Sequence, residues 1–336
     1  MIDRDEAIEI GLVLYPGVQA ASVYGLTDLF AVANQMAAAR SKDAAHLRVS
    51  HWQRSGDAVT RAFDSEPGPG DGPVVIIVPP TLGDPIDREA AQPYAAWLRA
   101  RHAAGATLGS VCAGAFVLAE SGLLSGRPAT THWAYQEALA ARFPDIALDA
   151  DKLVIDDGDI ITAGGYMAWT DLGLKIVDRI LGSAVMMDTA RFMLVDPPGR
   201  EQRFYNPFAP RLTHGDAAIL KVQHWLQQVG GRNVTAGAMA EKAGLEERTF
   251  LRRFHKATGL KPTEYCQHLR VSKARELLES STQPIDQVAW DVGYDDPGSF
   301  RKVFIKVTGL APSDYRRRFG AEQNRSAFHE EMPAMG

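Results

Sequence analysis

Cysteine is nearly absent: Cys112 and Cys266 are the only two in 336 residues. Two thiols cannot build a disulfide framework, so apolar burial must hold the fold, and a reducing compartment is expected. No uninterrupted apolar run approaches the ~18 residues a membrane helix needs. The opening stretch, MIDRDEAIEIGLVLYPG, is acidic at its start and lacks the basic-then-apolar order of an export signal. The expectation is a cytoplasmic protein with no membrane partner. The nine histidines show no metal-ligand spacing and no glycine-rich phosphate loop occurs, so neither a metal nor a cofactor is expected.

What is present is ordinary globular composition, 46% apolar and 23% charged, which excludes disordered and fibrous classes. At roughly 100–200 residues per domain the length predicts two domains, each able to bury its own core. The net charge of −5 conceals an asymmetry. Residues 1–211 hold 18 Lys and Arg against 26 Asp and Glu, whereas residues 212–320 hold 17 against 12, a net of +5. A basic second half behind an acidic first half points to a nucleic-acid partner for the second alone.

The first half alternates strand and helix patterns. IEIGLVLYPG (8–17), LRVSHWQ (47–53), VVIIVPP (74–80) and ATLGSVC (106–112) read as strands. SVYGLTDLFAVANQMAAAR (22–40), PYAAWLRARHAAG (93–105), AGAFVLAESGLL (113–124), HWAYQEALAARF (132–143) and MAWTDLGLKIVDRILG (167–182) read as helices. KLVIDDGDIITAGG (152–165) reads as two short strands around an Asp-Gly turn. This order predicts a mostly parallel sheet with helices on both faces, an α/β/α sandwich. Asp171 and Lys175, one turn apart, are expected to form a surface pair.

Residues 196–216, DPPGREQRFYNPFAPRLTHGD, hold four prolines and no periodicity, and read as a linker whose aromatics either lie free or pack on a domain surface. Beyond 217 no strand pattern remains: short helices run to about 320, separated by Gly, Pro and Asn, and 321–336 reads as a flexible tail. The expected organisation is 1–195 for a sensing and dimerisation domain, 196–216 for the linker, 217–320 for an all-α domain and 321–336 for the tail.

The helical half repeats itself at a spacing of about 50 residues. AEKAGLEERTFLRRFHKATGLKPTEY (240–265) aligns with AWDVGYDDPGSFRKVFIKVTGLAPSDY (289–315), sharing Ala240/Ala289, Gly244/Gly293, Phe250/Phe300, Phe254/Phe304, Thr258/Thr308, Gly259/Gly309, Pro262/Pro312 and Tyr265/Tyr315. Each copy is a helix, a glycine-containing turn and a second helix with apolar residues four apart, the grammar of a helix-turn-helix. With the phenylalanines inward, Arg248, Thr249, Arg252 and Arg253 in one copy, and Ser299, Arg301 and Lys302 in the other, are the candidate DNA contacts: arginine can bond guanine bidentately, and either cation can neutralise phosphate. Glu246, Glu247, Asp295 and Asp296 sit where they favour the helix dipole but repel phosphate. A single helix over roughly 263–280, about 27 Å long, joins the two copies, and successive major grooves lie ~34 Å apart. These residues, and PIDQVAWDVGYDDPGSFRKVFIKVTGLAPSDYRRRF in particular, resemble the signature of AraC/XylS-type transcriptional regulators over about 217–319. The resemblance implies sequence-specific binding of double-stranded promoter DNA by both recognition helices.

Cys112 closes a strand and precedes a helix in GSVCAGAF, so its sulfur should lie near unpaired N–H groups and the positive end of a helix dipole, both of which favour thiolate. This is a nucleophile elbow with sulfur in place of oxygen, and the same N–H groups suit a carboxylate. LYPGVQAASVYGLTDLFAVAN, VVIIVPP, SVCAGAFVLAESGLLSGRPATTHW and GGYMAWTDLGLKIV are similar to the PfpI-like branch of the class I glutamine amidotransferase superfamily, a flavodoxin-like fold, over about 8–190. The fusion of this domain to the helical one resembles the GlxA-like group of AraC-type regulators. The superfamily's catalytic partners do not carry over. Ala113 stands where protease-like members have a histidine, Ser22 stands near the position of a carboxylate, and His132 matches a histidine common near the cysteine but has no evident acid.

Three readings of Cys112 follow: a buried small apolar residue, the floor of a ligand pocket, or a catalyst. The missing partners favour the pocket, with Cys112, Ala113, Gly114, His132, Gly17 and Ser22 as its candidate residues and no catalytic residue. The functional expectation is a regulator, homodimeric through its first domain, controlled by a small-molecule effector in a catalytically incomplete domain. The alternatives are a cysteine-dependent hydrolase or amidotransferase fused to a regulatory DNA-binding domain, and a thiol redox sensor, for which no resolving cysteine is near. Cys266 is assigned to the core of the connecting helix.

Overall fold

Ile8–Leu14 (β1) is apolar at nearly every position and buried along its length, which is what a strand covered on both faces requires. A computed structural model describes residues 7–68, 72–199 and 201–320; the tail expected over 321–336 lies outside the described residues. The chain divides into two compact units, Met1–Gln202 and Arg203–Gly336, a division that falls within 196–216.

In the first unit β1 leads into Ala20–Arg40 (α1), then Leu47–Ser55 (β2), Ala58–Asp64 (β3), Val75–Val78 (β4), Arg88–Ala103 (α2), Thr107–Val111 (β5) and Gly114–Glu120 (α3). Pro128–Ala129 (β6) pairs with Ala147–Leu148 (β7) across Gln136–Arg142 (α4), and Val154–Asp156 (β8), Ile160–Ala163 (β9), Trp169–Leu181 (α5) and Ser183–Met193 (α6) complete the unit. The main sheet has seven strands in the order β3-β2-β1-β4-β5-β9-β8. β2, β1, β4, β5 and β9 run parallel, and the two edge strands are antiparallel. Helices α1, α5 and α6 cover one face around Leu26, Phe30, Leu172 and Val177; α2, α3 and α4 cover the other around Tyr94, Leu98, Phe116 and Leu139. This is the flavodoxin-like α/β/α sandwich that the strand–helix alternation predicts.

Four elements have no counterpart in the sequence pattern: the two-residue strands β6 and β7, and β3 and α6. β3 is an edge strand whose residues are half or fully exposed, so it carries no apolar run; it folds back on β2 through a turn at Gly56, whose φ is +62°. α6 follows α5 after Gly182 (φ +87°) and buries only Val185, Thr189 and Ala190, too few to show as a period. The expected surface pair of Asp171 and Lys175 does not form. Asp171 is buried and accepts from Thr170 Oγ1, whereas Lys175 reaches Asp156 at 3.3 Å.

The second unit is all helix: Ala217–Val229 (α7), Ala236–Ala243 (α8), Glu247–Thr258 (α9), Pro262–Ser280 (α10), Ile285–Asp291 (α11), Pro297–Thr308 (α12) and Pro312–Phe319 (α13). The sequence repeat recurs as a packing repeat. Phe250, Phe254 and Tyr265 stack with centroids 5.3 Å apart at each step, and Phe300, Phe304 and Tyr315 do so at 5.5 Å. Thr258 and Thr308 each donate to the phenylalanine carbonyl four residues back at 2.8 Å, and Gly259 and Gly309 end both helices with positive φ. α10 gives Tyr265 and Cys266 to the first core and Val271, Ala274 and Leu278 to the second. The expected linker is not free chain over 203–216. Phe208 packs edge-on against Tyr265 at 5.1 Å, and buried Arg275 donates to the carbonyls of Arg203 and Asn206.

Gly114 makes the sharpest sequence-to-fold demand: a Cβ there would lie 2.3 Å from the Val78 carbonyl oxygen and 2.7 Å from that of Pro79. Both obstacles are backbone, so relief requires moving β4 or α3. Gly114→Ala is expected to cost roughly 1–3 kcal/mol, the usual penalty of overpacking, read as a lowered denaturant midpoint with an unchanged slope.

Candidate functional site

The first candidate site lies at the carboxyl ends of the parallel strands, where the strand order reverses between β1 and β4 and open α/β sheets characteristically bind ligands. Cys112 follows β5 with a left-handed backbone, φ +53°, in a non-glycine residue. That conformation is over-determined. The Cys112 N–H donates to the Ala163 carbonyl at 2.8 Å, and the Cys112 carbonyl accepts from Thr131 Oγ1 at 2.8 Å and from the Ala115 N–H at 3.2 Å. Such a strained residue, held from several sides, is typical of a functional turn.

Ala113 is the N-cap of α3 and, like Cys112 and Gly114, is buried. Gly17 turns the chain from β1 toward α1 with φ +79°, and its carbonyl accepts from the Leu82 N–H, so the β1–α1 turn rests on the loop after β4. Ser22 is buried and donates to the Gln19 carbonyl at 2.8 Å. Its hydroxyl hydrogen is therefore spent on the first turn of α1. His132 is half-buried, and its Nδ1 accepts from the Ala134 N–H at 3.1 Å, leaving Nε2 to carry the proton of the neutral ring. Its ring sits 5.9 Å from that of Tyr135 and 6.0 Å from that of Tyr166.

The electrostatics contradict the thiolate expectation. Burial pushes the Cys112 thiol up to about 12, and the hydrogen bond from the Ala113 backbone only partly offsets it. Desolvation wins over dipole because the sulfur is wholly enclosed and α3 is only seven residues long. Around it stand groups that are also neutral at physiological pH. Tyr15 is raised well above its ordinary value by burial and by the neighbouring Cys112 and Tyr166, Tyr135 is raised to about 12 by burial and a bond with Tyr166, and burial lowers His132. The three tyrosines were not singled out in the sequence. Tyr135 lies one helical turn after His132, Tyr166 follows the Gly164-Gly165 pair, and Tyr15 directly follows β1; only position after a strand or a histidine could have marked them.

Gln202, the last residue of this unit, was also missed. It is buried, its Nε2 donates to Thr131 O at 2.9 Å, Lys152 O at 3.0 Å and Thr130 Oγ1 at 3.1 Å, and its Oε1 accepts from the Trp133 N–H at 3.3 Å. Gly164 makes room for it: any Cβ there would overlap the Gln202 amide. Thr131 thus bonds Cys112 with its hydroxyl and Gln202 with its carbonyl.

The second candidate site is the pair of helix-turn-helix units, α8–α9 and α11–α12, whose turns contain Gly244 (φ +67°) and Gly293 (φ +88°). Arg248 and Arg252 are exposed on α9, and among the described residues no carboxylate pairs with either. Arg253 differs: its guanidinium donates to both oxygens of Asp216 at 2.9 and 2.6 Å, and Asp216 also caps α7 through the Ile219 N–H. Thr249 is half-buried, with its N–H on the Glu246 carboxylate, the N-cap of α9. On α12 Asp296 is the N-cap, accepting from the Gly298 and Ser299 N–H groups and from Ser299 Oγ at 2.8 Å. Arg301 pairs with Asp286 at 2.5 Å in the open, and Lys302 is exposed. The acidic residues at the helix starts are therefore caps first.

An α/β unit with a strained strand-to-helix elbow, followed by two helix-turn-helix units, defines a DNA-binding transcription regulator. The DJ-1/PfpI family matches residues 73–179 and a helix-turn-helix domain matches residues 239–318. The chain is 31% identical over 244 residues to the HTH-type transcriptional regulator GlxA of Rhizobium meliloti, covering 71% of this chain and 74% of that protein. It is 28% identical to the HTH-type transcriptional regulator CdhR of Pseudomonas aeruginosa, covering 71% and 68%. Among solved structures, Drosophila melanogaster DJ-1beta is 21% identical with a TM-score of 0.44, covering 57% of this chain and all of that one. The DNA-binding domain of AdpA, solved with a target DNA, is 30% identical with a TM-score of 0.31, covering 32% and 97%. The chain belongs to the GlxA-like family of HTH-type transcriptional regulators, with a DJ-1/PfpI domain followed by an AraC-type helix-turn-helix domain.

Two outcomes follow from the geometry. The Cys112 thiol is raised from 9.0 to about 12 in the fold, so the protonated form favours the folded state. Its contribution is complete below pH ~9 and is lost as pH rises toward ~12. Native protein should therefore resist thiol-specific reagents at pH 8, and the alkaline fall in stability should be shallower in Cys112→Ala than in wild type. On α9, Arg253→Ala should lower the melting temperature by releasing Asp216, whereas Arg252→Ala should leave it unchanged, as calorimetry of both variants will read.

Proposed function

We propose that this DNA-binding regulator is controlled by a small polar metabolite bound at the Cys112 elbow, and that the α/β domain performs no chemistry on it. The observation that carries the reading is the complete burial of the Cys112 side chain on its strained turn, which favours the thiol over the thiolate that nucleophilic attack needs. Gly17 and Ser22 follow the carboxyl end of β1, Ala113 and Gly114 follow that of β5, and His132 has its ring 6.0 Å from that of Tyr166 after β9; these residues are assigned to the pocket. A pocket of phenols, a thiol and a neutral imidazole offers hydrogen bonds without formal charge, which suits recognition. The sensing domain is assigned to 1–195 and taken to carry the homodimer contact, and the DNA-binding domain to 217–320.

The DNA contacts are assigned to Arg248, Thr249 and Arg252 on α9 and to Ser299, Arg301 and Lys302 on α12, with Arg253 reaching phosphate only if it leaves Asp216. At about 1.5 Å per residue α10 spans about 28 Å, so one chain can present both recognition helices to successive major grooves of a promoter site. Effector control acts through Thr131 and Gln202. A ligand at the elbow changes DNA binding only by favouring one arrangement over another, and these are the residues whose bonds join the elbow to the end of the unit.

In a gel-shift series with the full chain, specific affinity should fall steeply with salt, by about 0.9 in the logarithmic slope for each phosphate neutralised. Arg248→Ala combined with Arg252→Ala should abolish the preference for the operator, a loss of roughly ten- to a hundredfold per lost base contact; retained preference would end the DNA assignment. In a thermal-shift screen one metabolite should raise the melting temperature of the full chain, and Cys112→Ala should weaken that shift without any turnover in wild type to lose.

A further inference from the structure

We infer that Leu251 and Ile305 read the methyl groups of thymines in the major groove, an inference that rests on the DNA-binding reading of the helical unit. α9 buries Phe250, Phe254 and Ala257, and the opposite stripe at helical spacing is Arg248, Leu251, Arg252 and His255, all exposed. α12 buries Phe300, Phe304 and Thr308 and exposes Arg301, Lys302, Ile305 and Lys306. Leu251 is 38% exposed and Ile305 45% exposed, and they are the large apolar side chains that stand open on these two helices.

Their surroundings decide what can cover them. Leu251 lies between Arg248 and Arg252 and one turn before His255; Ile305 lies beside Lys306 and one turn after Lys302. A protein partner with an apolar patch would have to bury these cations, whereas DNA neutralises them with phosphate and brings a groove to the same face. The edge of a base pair in the major groove offers polar atoms and one apolar group, the C5 methyl of thymine. An aliphatic side chain on that face therefore gains by meeting a thymine and leaves polar atoms unpaired on any other base. Alignment of the two copies sets Leu251 against Arg301 and His255 against Ile305, so each helix has its own apolar position, one turn apart in register. The two half-sites are then expected to demand thymine at different offsets from their guanine contacts.

The test is to enrich an operator from random duplexes with the full chain, and then to replace each thymine singly by uracil, which removes only the methyl. Wild type should lose about fourfold in affinity at one thymine in each half-site, the worth of one buried methyl-sized group. Leu251→Ala should bind the thymine and uracil forms of its own half-site equally, with the affinity wild type has for the uracil form, and keep the loss at the other; Ile305→Ala should do the converse. Both variants should retain the wild-type salt slope, because the phosphate contacts are untouched. The inference is overturned if no thymine methyl matters, if either variant keeps the wild-type thymine-to-uracil ratio at both half-sites, or if the salt slope changes. The second result would leave Leu251 to the shallow groove it lines with Ala236, His255, Lys261, Pro262 and Thr263, of about 350 Å³. Failure to enrich any duplex would remove the DNA reading together with the inference.

Discussion

Two carbonyl groups at the end of β4 leave room for a hydrogen atom, and no more, beside residue 114. From that contact the architecture of the elbow follows. α3 must begin against the sheet, so the chain leaving β5 has one residue in which to turn, and Cys112 takes the left-handed conformation that turn requires. The side chain of a residue so placed is enclosed on all sides. Enclosure holds the thiol protonated. The packing of backbone around one sulfur atom thus sets both its access to solvent and its ionisation.

In the helical unit the corresponding constraint is the sharing of α10. One helix supplies the last aromatic of the first core and the first aliphatics of the second, so the two recognition helices are fixed to opposite ends of one rod. Charge is then divided between structure and function. Arg253 and Arg275 are committed to Asp216 and to backbone carbonyls, and the caps of α9 and α12 are carboxylates. Arg248, Arg252 and Lys302 are among the exposed cations that form no ion pair among the described residues and can meet phosphate without breaking one. A domain charge of a given sign is thus a poor count of DNA contacts until the internal pairs have been removed from it.

Much of this was legible in the sequence because it rests on local rules. Continuous apolar runs such as VIIV give buried parallel strands, and repeated Phe, Thr, Gly, Pro and Tyr positions give two copies of one unit with the same caps and the same stack. The unread parts rest on tertiary context. AVTRAFD pairs only at a sheet edge and needs no apolar pattern. Asp171 has the spacing of a surface residue, yet α5 turns it inward. Cys112 carries opposing local and global signals: the sequence places it beside N–H groups that favour thiolate, but the sulfur's burial belongs to the whole fold. Gln202 has no local signature at all, because its partners come from two distant segments, 130–133 and 151–152.

Gln202 also shows why the proline-rich stretch is not a passive tether. The Gln202 amide is bound within the first unit by Thr130, Thr131, Lys152 and Trp133, and the carbonyl of the next residue, Arg203, accepts from Arg275 within the second at 2.9 Å. Each of the two residues is held within its own unit. A ligand that moves the Cys112 carbonyl by even part of an ångström must stretch its bond to Thr131 or carry Thr131 with it, and Thr131 holds Gln202 by its own carbonyl. A displacement of the Cys112 carbonyl is thus felt at Gln202 through two hydrogen bonds, both within the first unit.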